Sequence, residues 1–293
     1  MDGALLGRLD LGDHVCRLYR DDEQRLATVA GFVEAGVGSG HQVAYFSVER
    51  PETVLEQLGS RGVDGRALIE RGGLRVTSAQ DSYLASGAFH PEAVMSAWRR
   101  AIADARDCGY AGLWAMGDMA WAATKIAGAD RLRWYEAEVN RVFTGEHALA
   151  LCLYDERSFP ADELDRIAAA HPGTLEPGDG PGWRPLLRMR RTVDPPGLKL
   201  TGEADASNRD ALAATLDGLR DDLPRTGAPA TLDLTDLRFA DAAVARLLIR
   251  AARTFPAGMR IAGCSPWIAR LLTLLGGDQI PGVDAAEARE TTA

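Results

Sequence analysis

Cysteine is scarce and dispersed in this chain of 293 residues. The four cysteines, Cys16, Cys108, Cys152 and Cys264, lie far apart, and none belongs to a CxxC pair. Disulfide frameworks and structural zinc motifs rely on closely spaced cysteines. The sequence therefore excludes a disulfide-stabilised scaffold, and we expect four reduced thiols in a reducing compartment.

A surplus of basic residues and a long apolar run are also missing. The formal net charge of −9 argues against a nucleic-acid partner, because such binding needs a basic face. The short basic run at residues 188–191 is interpreted as the solvated edge of a strand. The first 14 residues lack the basic and apolar regions of a signal peptide, and no segment is apolar enough to span a membrane. We therefore expect a cytoplasmic protein with no nucleic-acid or membrane partner.

A phosphate-binding loop is absent as well. Such a loop needs glycines, a lysine and a Ser or Thr hydroxyl, whereas the first predicted strand is followed by YRDDEQR, whose acids Asp21, Asp22 and Glu23 would repel a triphosphate. Asp118 follows an apolar strand, where an aspartate can bind magnesium, but strands commonly end in Asp. No nucleophile has an adjacent base. We expect no ATP hydrolysis and predict no catalytic residue.

The pattern that is present indicates two α/β domains. Strands and helices alternate up to residue 172, which predicts a mostly parallel sheet with helices on both faces. Prolines and glycines at 173–185 predict a linker. Residues 186–283 predict a smaller domain with the order strand, strand, helix, strand, helix, strand, helix, and 284–293 a frayed tail. The strands predicted in the first domain are 14–19, 42–48, 74–77, 112–116 and 148–154, and its helices 22–37, 51–58, 91–108, 129–143 and 161–170.

Five motifs of the first domain occur in a characteristic order. They are GDHVCRLY at 12–19, GDMAW at 117–121, YEAEVN at 135–140, CLYD at 152–155 and HP at 171–172. Together they resemble the MEDS domain, a sensory domain named for methanogens, methylotrophs and a dichloromethane-responsive regulator, over about residues 11–172. That family is thought to be distantly similar to RecA-like nucleotide-binding domains. The resemblance therefore implies a RecA-like sheet and a sensory role.

Polar side chains at strand ends are the first candidates for ligand binding. Open α/β sheets bind ligands beyond the carboxyl ends of their strands, where Tyr19, Ser47, Asp118 and Asp155 should emerge. Four tryptophans within thirty-seven residues would line an apolar pocket or belong to the core. These tryptophans are Trp98, Trp114, Trp121 and Trp134.

The helix predicted at 129–143 contributes Glu136 and Asn140, and their i, i+4 spacing places them on the same side of that helix. They would hydrogen-bond a ligand or each other, or face solvent. We therefore expect one small-molecule pocket near a set of five residues. The set is Trp114, Asp118, Trp121, Glu136 and Asn140.

His14 and Cys16 alternate onto one face of a strand, and Cys152 lies on another strand. The candidate ligand-binding residues therefore also include His14, Cys16 and Tyr19. A metal or haem site built from these side chains is geometrically allowed, but buried thiols and a core histidine explain the same pattern without a cofactor. We predict no metal ligand, and the sequence leaves the cofactor unknown.

The second domain carries GEAD at 202–205, TLDLTDLRFADAAVARLL at 231–248 and GCSPWIARLLTLLGG at 263–277. These motifs resemble the STAS domain, named for sulphate transporters and anti-sigma factor antagonists, over about residues 186–283. A strand at 231–234 and a turn at 237–240 are predicted before a helix that Asp241 would cap. In anti-sigma factor antagonists this helix opens with Asp-Ser-Ser-Gly, and a partner kinase phosphorylates the second serine. Here Ala242 and Ala243 replace the serines, which excludes phosphorylation at this site.

These features predict a sensor and signalling protein that is not an enzyme. The first domain would detect a small molecule or partner, and the second would bind an anti-sigma factor or related regulatory protein through Phe239, Asp241, Ala242 and Ala243. A nucleotide-binding switch or enzyme and a structural scaffold remain as alternatives. A degenerate, purely structural second domain and a homodimer are also compatible with the sequence.

Overall fold

The computed structural model describes residues 6–145, 147–176, 178–180, 183–223, 228–280 and 282. The described residues form two sheets of six and four strands, each with its own core. No helix within these ranges is both long and apolar enough to cross a membrane. The predicted tail at 284–293 lies outside the described residues.

The first domain contains six parallel strands in the order β3-β2-β4-β5-β1-β6. The strands are β1 (His14–Tyr19), β2 (Gln42–Ser47), β3 (Leu74–Ser78), β4 (Leu113–Asp118), β5 (Ala148–Asp155) and β6 (Gly173–Leu175). The helices are α1 (Asp22–Gly38), α2 (Pro51–Ser60), α3 (Gly65–Glu70), α4 (Pro91–Asp107), α5 (Leu132–Phe143) and α6 (Ala161–Ala168). Every residue of β4 and β5 is buried, as the near-continuous apolar runs of central parallel strands require.

Helices cover both faces of this sheet, as predicted. Helices α1, α2 and α3 pack on one face, around Phe32 and Trp114. Helices α4, α5 and α6 pack on the other, around Trp98 and Tyr135. The predicted α/β class with a mostly parallel first sheet is therefore confirmed.

The second domain contains a smaller mixed sheet in the order β10-β9-β8-β7. Its strands are β7 (Leu187–Val193), β8 (Pro196–Ala204), β9 (Ala230–Ala240) and β10 (Met259–Ala262), and its helices are α7 (Arg209–Asp222), α8 (Ala242–Thr254) and α9 (Pro266–Leu274). β7 pairs antiparallel with β8, and the other pairs are parallel. The predicted order of elements is confirmed.

Three details differ from the sequence prediction. The predicted linker at 173–185 starts too early, because Gly173–Leu175 contains no proline and pairs with β1 as the edge strand β6. Helix α3 was not predicted, since its six residues are too few to show a helical period. The predicted turn at 237–240 belongs to β9, which continues past register shifts against β8.

The two domains meet at a polar interface near the start of β1. Asp13 is buried and accepts hydrogen bonds from Arg188 Nε at 3.1 Å and Arg190 Nη2 at 3.0 Å. Arg188 Nη2 also donates to the carbonyl oxygen of Arg8 at 2.7 Å. The prediction of a solvated strand edge at 188–191 is therefore wrong for these two arginines, because their side chains cross to the first domain.

Helices α5 and α7 form the other part of this interface. Arg133 of α5 lies 2.5 Å from Asp210 of α7, and Arg141 Nη2 lies 3.4 Å from Asp221. The helices approach closely at Gly218, where an added Cβ would lie 2.3 Å from Arg141 Nε. Helix α5 therefore contacts the first sheet with one side and the second domain with another.

Candidate functional site

A buried group of four titratable side chains lies between the first sheet and α5. We call His14, Glu136, Cys152 and His171 the Glu136 cluster. One donor atom from each lies within 4.8 Å of the other three, and all four residues are buried. His14 extends from β1, Cys152 from β5 and Glu136 from α5, while His171 follows α6. The cluster thus joins elements that are distant in the sequence.

The carboxylate of Glu136 is the centre of the cluster. Its Oε2 lies 3.3 Å from His14 Nε2, 3.4 Å from His171 Nε2 and 3.6 Å from Cys152 Sγ. Its Oε1 accepts a hydrogen bond of 2.5 Å from the Tyr154 hydroxyl. The two oxygens therefore have different surroundings, and only Oε2 faces the other members of the cluster.

Asn140, one turn after Glu136, orients the ring of His14. Its Nδ2 donates to three carbonyl oxygens, those of Glu136 at 2.9 Å, Ala137 at 3.0 Å and Ala170 at 2.9 Å. This arrangement directs Asn140 Oδ1 towards His14 Nδ1, at 3.1 Å. Asn140 is therefore a positioning residue, and the predicted same-side geometry of Glu136 and Asn140 is confirmed.

Burial changes the protonation of the cluster. It lowers the pKa of His14 below the ordinary range, and the neighbouring His171 adds to this effect. Burial also raises the pKa of the Cys152 thiol well above its ordinary range, and the Glu136 carboxylate adds to this second shift. A neutral imidazole and a neutral thiol are thus favoured when no cation is present.

Cys16 lies on the same face of β1 as His14 and is opposite Cys152 in the strand register. It is buried but is not one of the four clustered side chains. The structure therefore brings together His14 and Cys152, as the alternation of the strands allowed, and leaves Cys16 beside them. His171 and Tyr154 were not predicted as site residues, although both lie within motifs that carry the family resemblance.

The carboxyl ends of the central strands form a second polar group on the opposite face. Tyr19, Ser47, Asp118 and Asp155 end β1, β2, β4 and β5, as predicted. Asp118 is buried, its Oδ2 accepts no hydrogen bond from the described residues, and a guanidinium nitrogen of Arg25 lies 3.8 Å away. Burial raises the pKa of Asp118 to about 6.

The connection from β1 to α1 consists of two residues, Arg20 and Asp21. β1 ends at Tyr19, α1 begins at Asp22, and the Asp21 side chain accepts a hydrogen bond of 2.8 Å from the backbone N–H of Gln24. Arg25, on the first turns of α1, reaches the Tyr45 hydroxyl at 3.4 Å. The Asp21 carboxylate thus caps the N-terminus of α1, a kind of position at which helices can bind anions.

The single pocket expected from five residues does not form. Trp114 and Asp118 point to the α1 face, where Trp114 packs on Phe32 with ring centroids 5.0 Å apart. Trp121, Glu136 and Asn140 lie on the opposite face. The expectation is wrong because Trp114 and Asp118 both lie on the face of β4 that is turned away from Glu136. Trp121 follows β4 in a short 3₁₀ helix and packs on the Glu136 side of the sheet.

A different cavity, of about 430 Å³, lies between α4 and the edge of the first sheet. Phe46, Tyr83 and Trp98 form its aromatic wall, five alanines and Val94 form its aliphatic part, and six polar or charged residues complete the lining. Trp98 Nε1 donates a hydrogen bond of 2.9 Å to the hydroxyl of Tyr135, the neighbour of Glu136 on α5. The cavity therefore combines an apolar wall with several polar groups, as a small-molecule site can, and its wall contacts α5 directly.

In the second domain, the four predicted docking residues lie together at the end of β9 and the start of α8. Asp241 caps α8, since its Oδ1 accepts a hydrogen bond of 2.7 Å from the backbone N–H of Val244. Ala242 is exposed, Ala243 is half-buried, and Phe239 is 41% exposed. An accessible helix start with no hydroxyl in its first turn is therefore present, as predicted.

Comparison with known proteins identifies both domains. The family model of the MEDS domain, described as "MEthanogen/methylotroph, DcmR Sensory domain", matches residues 13–172. The model described as "Mlab, STAS domain" matches residues 187–282. Comparison with curated proteins gives no match.

Two solved archaeal structures are similar to this chain at 11% identity. The flagellar accessory protein FlaH from Methanocaldococcus jannaschii aligns over 69% of this chain and 83% of its own, with a TM-score of 0.44. The KaiC-like protein PH0186 from Pyrococcus horikoshii OT3 aligns over 65% and 77%, with a TM-score of 0.41. From its family model, which covers more than half of the sequence, the chain belongs to the MEDS family and carries a STAS domain after it.

Proposed function

We propose that this chain is a cytoplasmic, non-enzymatic signalling protein of the anti-sigma factor antagonist type. Its MEDS domain detects a small molecule, and its STAS domain binds a regulatory protein such as an anti-sigma factor. The observation that carries the proposal is the start of α8, where Asp241 caps an accessible helix and Ala243 occupies the phosphoacceptor position. The regulatory protein would bind there without control by phosphorylation.

Charge explains why this substitution matters. A phosphate on the first turn of α8 would add nearly two negative charges beside the backbone N–H groups of a helix start. In serine-containing relatives the unmodified form generally binds the partner. Ala242 and Ala243 therefore keep the surface in a permanently unmodified state, and control passes to the MEDS domain.

The contacts between the domains supply a route for this control. A small apolar molecule in the cavity would touch Trp98, which hydrogen-bonds Tyr135 of α5. On another side, α5 contacts α7 through Arg133 and Arg141. A shift of α5 would therefore change the position of the STAS domain, and with it the exposure of α8.

The main alternative, a nucleotide-dependent switch or ATPase, finds less support. Asp21 already satisfies the N–H group that would face a phosphate, and Arg25 faces Asp118 where a metal–nucleotide complex would need space. We therefore expect neither ATP turnover nor tight ATP binding. Magnesium-dependent hydrolysis that Asp118→Ala abolishes would instead favour the enzyme.

The docking surface can be tested with the full-length chain as bait in an extract of source cells. Captured proteins would be quantified by mass spectrometry for the wild type, Ala243→Glu and the control Ala161→Glu. Ala161 is exposed at the start of α6 in the other domain, so the control adds the same charge at a comparable position. We expect a regulatory protein that the wild type and the control capture and that Ala243→Glu loses by roughly tenfold, or about 1.4 kcal/mol.

The captured protein would then be purified, and its affinity for the three baits measured. Equal affinity for Ala243→Glu and the wild type would place docking elsewhere. In that case the STAS domain would be better explained as a structural or dimerisation module.

A further inference from the structure

We propose that the Glu136 cluster binds one Zn²⁺ ion through His14 Nε2, Glu136 Oε2, Cys152 Sγ and His171 Nε2. Zinc bonds to nitrogen, oxygen and sulfur of about 2.0 to 2.3 Å place tetrahedral ligand atoms roughly 3.3 to 3.7 Å apart. Four of the ligand pairs lie 3.3 to 3.6 Å apart, and all pairs lie within 4.8 Å. The side chains are thus close to the geometry of a bound ion. This inference does not depend on the proposed signalling function.

The hydrogen bonds of the two histidines leave both Nε2 atoms available as ligands. Asn140 Oδ1 accepts from His14 Nδ1, because three carbonyl oxygens fix the amide nitrogen of Asn140 in the opposite direction. The Ile167 carbonyl oxygen accepts from His171 Nδ1 at 2.9 Å. In its neutral form, each ring therefore carries its proton on Nδ1 and a lone pair on Nε2. Metal-binding histidines generally make this second hydrogen bond.

Without a cation, these lone pairs would face other acceptors. Both Nε2 atoms lie within 3.4 Å of Glu136 Oε2, and His171 Nε2 makes no hydrogen bond among the described residues although it is fully buried. An uncompensated buried acceptor is costly. A metal ion between the four atoms would give each of these lone pairs a bonding partner.

The surroundings of Glu136 also favour a metal. The Tyr154 hydroxyl occupies Oε1, which leaves Oε2 as a single ligand atom directed into the cluster. One carboxylate and one thiolate balance the charge of a divalent ion, so the occupied site is neutral. Neutrality matters because all four residues are fully or nearly fully buried.

The donor set selects the class of metal. Two imidazoles, a thiolate and a carboxylate oxygen are unsuited to Mg²⁺ or Ca²⁺, which prefer oxygen ligands, and suit zinc. Four protein ligands complete a tetrahedron and leave no position for water. We therefore assign a closed site, which stabilises the domain rather than catalysing a reaction.

The first experiment measures zinc in the full-length protein by elemental mass spectrometry after purification without chelators. We expect about one zinc per chain in the wild type and in Cys16→Ser, and a loss of at least tenfold in Cys152→Ser and His171→Gln. Cys16→Ser is the matched control, because Cys16 is a buried thiol on the neighbouring strand, opposite Cys152. Circular dichroism would establish that each variant is folded.

The second experiment replaces zinc by Co²⁺ and follows the near-ultraviolet charge-transfer absorption of a cobalt–thiolate bond. We expect this band in the wild type and Cys16→Ser and its loss in Cys152→Ser. Folded wild-type protein that binds neither zinc nor cobalt would overturn the proposal, and the cluster would then be a hydrogen-bonded network. A band that survives in folded Cys152→Ser would also contradict it.

Discussion

Asp118 is a buried carboxylate with an incomplete set of partners. The backbone N–H of Ala120 donates to its Oδ1 at 3.2 Å, while its Oδ2 has no hydrogen bond from the described residues. Burial is the main cause that raises the pKa of Asp118 to about 6. At neutral pH the fold therefore carries the cost of an ionised carboxylate that is poorly solvated.

We expect Asp118→Asn to change how stability depends on pH. A carboxyl group whose pKa is raised in the folded state stabilises the fold at acid pH, and this contribution is lost as the pH rises through about 6. The free energy of unfolding of Asp118→Asn, relative to wild type, should therefore increase by about 1 kcal/mol between about pH 5 and pH 7.5. Urea unfolding of both proteins at several pH values would measure this difference.

The matched control is Asp155→Asn. The hydrogen bonds and charge of Arg157 outweigh burial and lower the pKa of Asp155, so this group titrates below the range tested. The difference in free energy of unfolding between Asp155→Asn and wild type should therefore stay constant above about pH 5. If the difference in free energy of unfolding between Asp118→Asn and wild type is also constant with pH, the pKa of Asp118 is not raised in the folded state.

The sequence could predict side-chain direction at single residues but not their distant partners. The i, i+4 spacing correctly placed Glu136 and Asn140 on the same side of α5. It carried no information about His171 or Tyr154, which meet Glu136 only after the sheet and α6 have packed. The signal for His171 was the HP motif, whose role no local spacing reveals.

At the scale of secondary-structure elements, α8 shows how local sequence fixes a helix start. Asp241 adopts an extended backbone, and its carboxylate accepts from Val244 N at 2.7 Å, whereas the cap of α9, Ser265 Oγ, lies 3.4 Å from Ile268 N. The shorter, charge-assisted bond is expected to be the stronger one.

We therefore predict that Asp241→Ala lowers the free energy of unfolding by about 1 kcal/mol. Ser265→Ala, which removes the longer bond in the same domain, should cost less. Denaturant unfolding of the two full-length variants would measure both changes. Equal decreases in the free energy of unfolding would show that hydrogen-bond length does not determine which of the two caps stabilises the protein more.

Element boundaries were predicted well where burial is uniform and poorly where strands are irregular. The continuous apolar runs predicted β5 to within one residue and β4 to within two residues, since both are central strands. In β9, polar and apolar residues fall out of alternation at the register shifts, and the sequence suggested a turn there. The expected pocket failed for a related reason, because alternation along β4 sends Trp114 away from Glu136.

At the scale of the whole molecule, the domain interface is the feature that sequence predicted least. The two domains were evident from composition and element order, but arginines in a short basic run look solvated until their partners are known. Arg188 and Arg190 instead pair with the buried Asp13. Asp13 precedes His14, and α5 carries both Glu136 and the arginines that face α7, so the Glu136 cluster adjoins the interface on two elements.

We predict that Gly218→Leu uncouples the domains. The new side chain would collide with Arg141, since even a Cβ would lie 2.3 Å from Arg141 Nε. Calorimetry should therefore show one unfolding transition for the wild type and two for the variant, with the first shifted to lower temperature. Asp217→Leu is the control, because Asp217 is exposed on the adjacent position of α7. Two transitions in the wild type would mean that the contacts do not couple unfolding.

The positions of the Glu136 cluster have a consequence for how the protein is made. Its four side chains come from residues 14, 136, 152 and 171, which span almost the whole first domain. During synthesis His14 is added at the start of this domain, whereas His171 is added only when the domain is nearly complete. Because domains fold as units during synthesis, closure of the cluster marks completion of the first domain, before the STAS domain has emerged.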